Sequence, residues 1–169
     1  ANREKVRHAQ GILSAKVHDL YAEEQLHGYT QEMMLKAMDR EGVDVAILFR
    51  SKSQMFIDRD DLEPELAIAL CQAFNDWLAD FMNADKERLK GSAILALHDP
   101  KLAAQEARRV VKDLGMVAVT LLPHPVAGLY LHDPECDVLW AELQELGVPV
   151  TFHSQSGGYA SISPGDWFR

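Results

Sequence analysis

Apolar residues fall into two alternating patterns along the chain, short unbroken runs and longer stretches at helical spacing, and the alternation repeats from Thr30 onward. TQEMMLKAMDREG places Met33, Met34, Ala37 and Met38 on one side of a helix that Gly42 can end. The run from Val43 to Phe49 follows as a largely buried strand. A second helix is expected from Glu63-Pro64, because proline is tolerated at the first helical position; Leu66, Leu70, Ala73, Trp77 and Phe81 form its apolar side. After the charged run Asp85–Arg88, Gly91–Leu97 reads as the second strand.

Asp99-Pro100 supplies a cap and a first-turn proline for a third helix, with Leu102, Ala103, Ala107, Val110, Val111 and Leu114 facing a sheet and Gly115 ending it. Met116–Leu121 is the third strand. The pattern then repeats: Asp133-Pro134 opens a helix carrying Val138, Leu139, Leu143 and Leu146, Gly147 closes it, and Val148–His153 is the fourth strand. Pro149 is expected in the first strand turn or where no ladder N–H is needed.

Strands that alternate with helices and are apolar on both faces predict a parallel α/β arrangement with right-handed crossovers. Residues 1–29 read as an N-terminal loop or accessory segment, with Ile12-Leu13 as a small anchor. Residues 30–158 read as the core of βα units, and 159–169 as a loop and truncated end.

At 169 residues, with 47% apolar and 25% charged side chains, the chain can bury a sizeable core. Seventeen Lys+Arg against twenty-six Asp+Glu leave a net charge of −9, which argues against a nucleic-acid binder held by phosphate neutralisation. No segment approaches the roughly 20 apolar residues of a membrane span, and ANREKVRHAQ lacks the apolar core of a secretion signal, so a cytoplasmic protein without membrane attachment is expected. Cys71 and Cys136 lack metal or disulfide spacing and read as free thiols. Apolar helix faces leave room for a homo-oligomer, whose subunit number no motif fixes.

In parallel α/β folds ligands meet the loops beyond the carboxyl ends of the strands, where Arg50, His98, His124 and His153 all fall. His153 ends an apolar strand and precedes Ser154–Gly158; its imidazole suits zinc or another borderline divalent ion, or a base's role, against the alternative of a hydrogen-bonded loop histidine. His124, between two prolines, stands where it could touch substrate or support its loop. Arg50 offers a donor fork to a substrate carboxylate, with a salt bridge to Asp58, Asp60 or Asp61 as the alternative. His98 reads as a structural hydrogen-bonding group and Asp133 as a helix cap rather than half of a dyad with His132. His18-Asp19, His8 and His27 read as ordinary polar residues. GxGxxG, GxxxxGK[ST] and HExxH are absent, and Gln155–Gly158 is a weak anion-turn signal.

The segment GVPVTFHSQSGG from Gly147, with TLLPHPVAGLYLHDP from Thr120 and LWAELQELG from Leu139, resembles the central part of the amidohydrolase-related family that contains aminocarboxymuconate-semialdehyde and hydroxybenzoate decarboxylases. The resemblance runs from about Thr30 to Gly158. It implies a metal-dependent (β/α)8 barrel acting on small, often aromatic carboxylic acids, by decarboxylation or, in some relatives, by hydrolysis. It places His153 as a ligand of a divalent metal, zinc first and manganese second, and His124 in a substrate-facing loop. The family's His-x-His pair, later histidine and aspartate have no counterpart in this chain. Four βα units are about half of such a barrel, which typically takes about 250 residues, so the sequence reads as an internal portion of a longer enzyme. The competing reading is a noncatalytic open α/β binding or interaction domain, which would carry a self-contained sheet with His153 remote from any pocket.

Overall fold

The computed structural model describes residues 28–50 and 59–153, with Ala22, Leu26 and Ile57 besides. His8, Ile12-Leu13, His18-Asp19, His27, Asp58 and the Gln155–Gly158 turn lie outside the described residues. The chain divides into two compact units, Ala1–Asp44 and Val45–Arg169.

The first unit carries helix α1 (Gln31–Glu41). Thr30 caps it, its hydroxyl accepting the Met33 N–H at 3.4 Å, and Gly42 ends it at φ 69°, a left-handed conformation that glycine adopts without a Cβ clash.

The second unit runs β1 (Ala46–Leu48), α2 (Pro64–Met82), β2 (Leu89–Ile94), α3 (Pro100–Lys112), β3 (Ala118–Leu121), a 3-10 turn (Pro134–Cys136) leading into α4 (Asp137–Leu146), and β4 (Val150–Phe152). The four strands are parallel and lie in the order β1-β2-β3-β4. A strictly sequential order has no point at which the winding reverses, as an open doubly wound sheet requires. It is the order of a barrel, in which each strand is followed by a helix and then by its neighbour.

Side chains on the sheet show the curvature directly. Ser92 on β2, Thr120 on β3 and Thr151 on β4 meet through their hydroxyls, with Ser92 to Thr120 at 2.6 Å, Thr120 to Thr151 at 2.8 Å and Ser92 to Thr151 at 3.4 Å. Strands two apart in a flat sheet are separated by roughly 9.5 Å, so hydroxyls from β2 and β4 meet only on the concave side of a strongly bent sheet. The second unit is therefore an arc of a TIM-type barrel, about half of one. The outer strands leave apolar groups uncovered: Ile47 beside β2 and Phe152 on β4 are each about half exposed.

On the helical side, Gly91 lies against Leu78, Met82 and Met116, where a Cβ would crowd all three side chains. Ala67, Ile68, Cys71, Leu78 and Met82 make up the buried apolar stripe of α2. This corrects the face expected from spacing, since Leu66 and Trp77 are more than half exposed. The helix is apolar nearly all round, and its periodicity does not choose a side. The small Ala67 and Cys71 allow close approach to the core, while Phe74, Trp77 and Phe81 stack along the outer side with centroids 5.6 and 5.5 Å apart.

The strands are shorter than the apolar runs. The first spans Ala46–Leu48, and Val43, Val45, Ile47 and Phe49 are substantially exposed rather than buried. The ladder of β2 starts two residues early, at Leu89, which pairs with Ala46, and Lys90 folds its ammonium back onto the Lys86 carbonyl at 2.6 Å. Pro149 sits just before β4, where it needs no N–H, and its carbonyl accepts the Val119 N–H at 3.1 Å.

Asp99 caps α3 as expected, accepting N–H groups from Lys101 and Leu102. Asp133 does not cap through its side chain. Its carboxylate turns back to the Tyr130 N–H at 2.7 Å, because the chain passes through the 3-10 turn before α4 begins.

Candidate functional site

Parallel strands in one arc bring their carboxyl ends to one rim, so Arg50 after β1, His98 after β2, His124 after β3 and His153 after β4 stand along the same edge of the sheet. His153 is exposed, and its N–H donates to the Leu121 carbonyl at 3.3 Å, carrying the β3–β4 ladder one residue further. Arg50 is 2% exposed. Its Nη2 donates to the His153 carbonyl at 3.0 Å, so the ends of the first and fourth strands are joined.

Of the aspartates weighed as partners for Arg50, Asp61 pairs with Arg59 at 2.6 Å and Asp60 accepts the Ala127 N–H at 2.8 Å. His124 is buried, three residues past β3 and between Pro123 and Pro125. The loop continues into a tight hairpin in which Val126 and Leu129 exchange both main-chain hydrogen bonds, with Ala127 at φ 53° and Gly128 at φ 78°. His98 Nε2 donates to the Arg59 carbonyl at 2.7 Å, the structural role expected of it. Together with Asp60 and Ala127, this bond ties the loop before α2 to the loops after β2 and β3. His132 and Asp133 are 3.9 Å apart, too far for a hydrogen-bonded dyad.

The residues that sequence reasoning missed are polar and interior. Asn75, Glu106 and the three hydroxyls of Ser92, Thr120 and Thr151 support the strands carrying the rim. Thr151 lies two residues before His153, on the same side of β4 by strand alternation. Its hydroxyl reaches the Val119 carbonyl at 3.1 Å.

Among the described residues no group of three His, Cys, Asp or Glu could hold a metal ion. His153 fits such an ion as one donor, an exposed imidazole on a rigid strand end. The cysteines do not fit as thiolate ligands. Burial pushes the Cys71 thiol up to about 12, with Glu106 adding to the shift, and burial also raises Cys136.

A curved parallel sheet with its polar groups gathered beyond the strand ends defines a barrel of the TIM class. The chain belongs to the amidohydrolase family, whose model matches residues 24–166. It is 31% identical over 134 residues to a gamma-resorcylate decarboxylase of Rhodococcus jostii (strain RHA1), covering 75% of this chain and 40% of that one. It is also 26% identical over 122 residues to a 2-amino-3-carboxymuconate-6-semialdehyde decarboxylase of Dictyostelium discoideum, covering 72% and 33%. Among solved structures, 2,6-dihydroxybenzoate decarboxylase from Rhizobium is similar with a TM-score of 0.64 at 27% identity, covering 79% of this chain and 40% of that one. The manganese-bound 5-carboxyvanillate decarboxylase of Novosphingobium aromaticivorans gives 0.67 at 27% identity, covering 78% and 36%. The chain thus spans about 40% of the length of the first of these relatives.

Proposed function

We propose that this chain forms the β1–β4 arc of a metal-dependent decarboxylase acting on a small aromatic carboxylic acid. The observation that carries the reading is His153 at the carboxyl end of β4, held on a curved, sequential parallel sheet. The relatives' dihydroxybenzoate and carboxyvanillate substrates supply the substrate class. His153 is assigned as a ligand of a divalent ion, with manganese and zinc as the ions to test. The manganese bound in one relative supports the first, and the preference of imidazole for borderline metals supports the second.

When bound, such an ion supplies positive charge that orients a carboxylate and offsets developing negative charge. His124, buried in the loop after β3, is assigned to the substrate side of the rim, and Arg50 lends its guanidinium charge to the region a carboxylate would enter. Two free, buried thiols agree with work in the reducing cytoplasm.

The test is turnover of 2,6-dihydroxybenzoate and 5-carboxyvanillate by the full-length protein, after loading with Mn2+ or Zn2+ and with His153→Ala alongside. Carbon dioxide release that depends on the ion and falls at least a hundredfold in the variant is expected. Water-dependent cleavage of amide or ester substrates without carbon dioxide release would move the assignment to a hydrolase. A full-length protein that takes up neither ion and turns over neither acid would end the enzyme reading.

A further inference from the structure

Both main-chain polar groups of His153 are engaged. Its N–H is held from β3 by the Leu121 carbonyl at 3.3 Å, and its C=O is held by Arg50 Nη2 at 3.0 Å. The peptide units on either side of the His153 Cα are thereby fixed, and with them the direction of the Cα–Cβ bond. The second of these bonds comes from a buried cation 103 residues away in sequence. A hydrogen bond to a charged group contributes more than a neutral one, and a guanidinium packed in the interior has few alternative rotamers.

We propose that Arg50 is a positioning residue for His153, holding the main chain at the end of β4 so that the imidazole meets a divalent ion in one orientation. The proposal rests on the metal-ligand reading of His153 and deepens it. Arg50 acts through the carbonyl, and its effect is felt before any substrate arrives. The position suits this role because β4 ends at Phe152 and the His153 N–H makes a ladder bond one residue beyond it, with Arg50 on the carbonyl that follows. That contact joins the strand end to the far side of the arc.

A purely substrate-binding arginine behaves differently. Its removal raises KM for a carboxylate and leaves ion affinity untouched, whereas loss of an outer partner of a metal ligand weakens the ion itself by about ten- to a hundredfold. The experiment is therefore ion binding without substrate on full-length Arg50→Met and Arg50→Lys, with Zn2+ measured by chelator competition and Mn2+ by the free-ion electron-spin signal. Thermal unfolding of the metal-free proteins is recorded beside it.

Arg50→Met is expected to bind both ions about ten- to a hundredfold more weakly. Arg50→Lys, which keeps a charge and a donor, is expected to recover to within about tenfold of the parent, on the same scale. Should the methionine variant fail to fold, Arg50→Gln, with one amide donor, is read in the same way. Unchanged ion affinity with a raised KM overturns the positioning role. A parent protein that binds neither ion removes the His153 assignment instead, a result distinct from a failure at Arg50.

Discussion

Asn75 and Ile94 form a two-bond ring across the α2–β2 contact: the side-chain Nδ2 donates to the Ile94 carbonyl at 3.0 Å, and Oδ1 accepts the Ile94 N–H at 2.9 Å. The amide thus takes the place of a strand neighbour at the last residue of β2, beyond the level at which β1 pairs. The second Nδ2 proton goes to Glu106 Oε1 at 2.8 Å, and Arg109 closes the other side of that buried carboxylate at 2.8 and 2.9 Å.

This ring makes an isosteric change more harmful than a truncation. Asn75→Asp puts an anionic oxygen against the Ile94 carbonyl and the Glu106 carboxylate, while Asn75→Ala leaves those groups unpaired in the interior. The alanine variant is expected to lose about 2–6 kcal/mol, from two unsatisfied buried groups at about 1–3 kcal/mol each. The aspartate variant should lose more at neutral pH. Urea denaturation of both checks the order, and an aspartate variant as stable as the parent would refute it.

The hydroxyl array on the concave face is continuous from Ser92 to Thr151. Thr151 meets the Val119 carbonyl and the Thr120 hydroxyl, and Thr120 in turn meets Ser92. Thr120→Val removes the middle link and leaves two hydroxyls without their partner, at an expected cost of about 1–3 kcal/mol. Thr120→Ser keeps the link and loses a methyl group, so it should cost less. Equal losses in the two variants, measured by thermal unfolding, would show that volume rather than hydrogen bonding decides the site.

Ala127 occupies a conformation that L-residues with a Cβ rarely adopt, at φ 53° beside Gly128 at φ 78°, in a two-residue hairpin turn that favours Asn-Gly. Asp60 holds it there through the Ala127 N–H. Ala127→Gly or Ala127→Asn should raise stability by up to about 1 kcal/mol by removing local strain. Asp60→Ala should loosen the hairpin, seen as faster amide exchange at Ala127 and Leu129. A destabilised Ala127→Gly protein would mean that loss of the methyl contact outweighs the strain.

Legibility in the sequence followed the range of the interaction. Gly42, Asp99, Gly147 and Pro149 act on their own neighbours, and their roles follow from residue type and place. The βα alternation and the rim position of His153 also follow from local pattern. The resemblance from about Thr30 to Gly158 implies a barrel, and the sequential strand order with the hydroxyl contacts gives it physical form. The buried face of α2 was misread because both sides are apolar and only the close approach at Gly91 selects one. Asn75 and Glu106 look like solvated helix residues until their partners are known. The Arg50 bond leaves no trace in residue type, since its acceptor is a main-chain carbonyl.

Cys71 gives a test that isolates one buried group. Burial and the Glu106 carboxylate raise its thiol from an ordinary 9.0 to about 12, with Arg50 pulling weakly the other way. The folded state therefore holds this proton to higher pH than the unfolded chain does. Its contribution is fully present below about pH 9 and is lost as pH climbs through the window toward 12. Cys71→Ala opens a small cavity and should be less stable than the parent at pH 7. It should also lose less stability than the parent between pH 9 and 11, when tyrosine and lysine titration common to both proteins is subtracted. The native thiol should resist iodoacetamide at pH 8 and react only on unfolding. Parallel alkaline losses in the two proteins, or rapid native alkylation, would show that the interior around Cys71 is open to water.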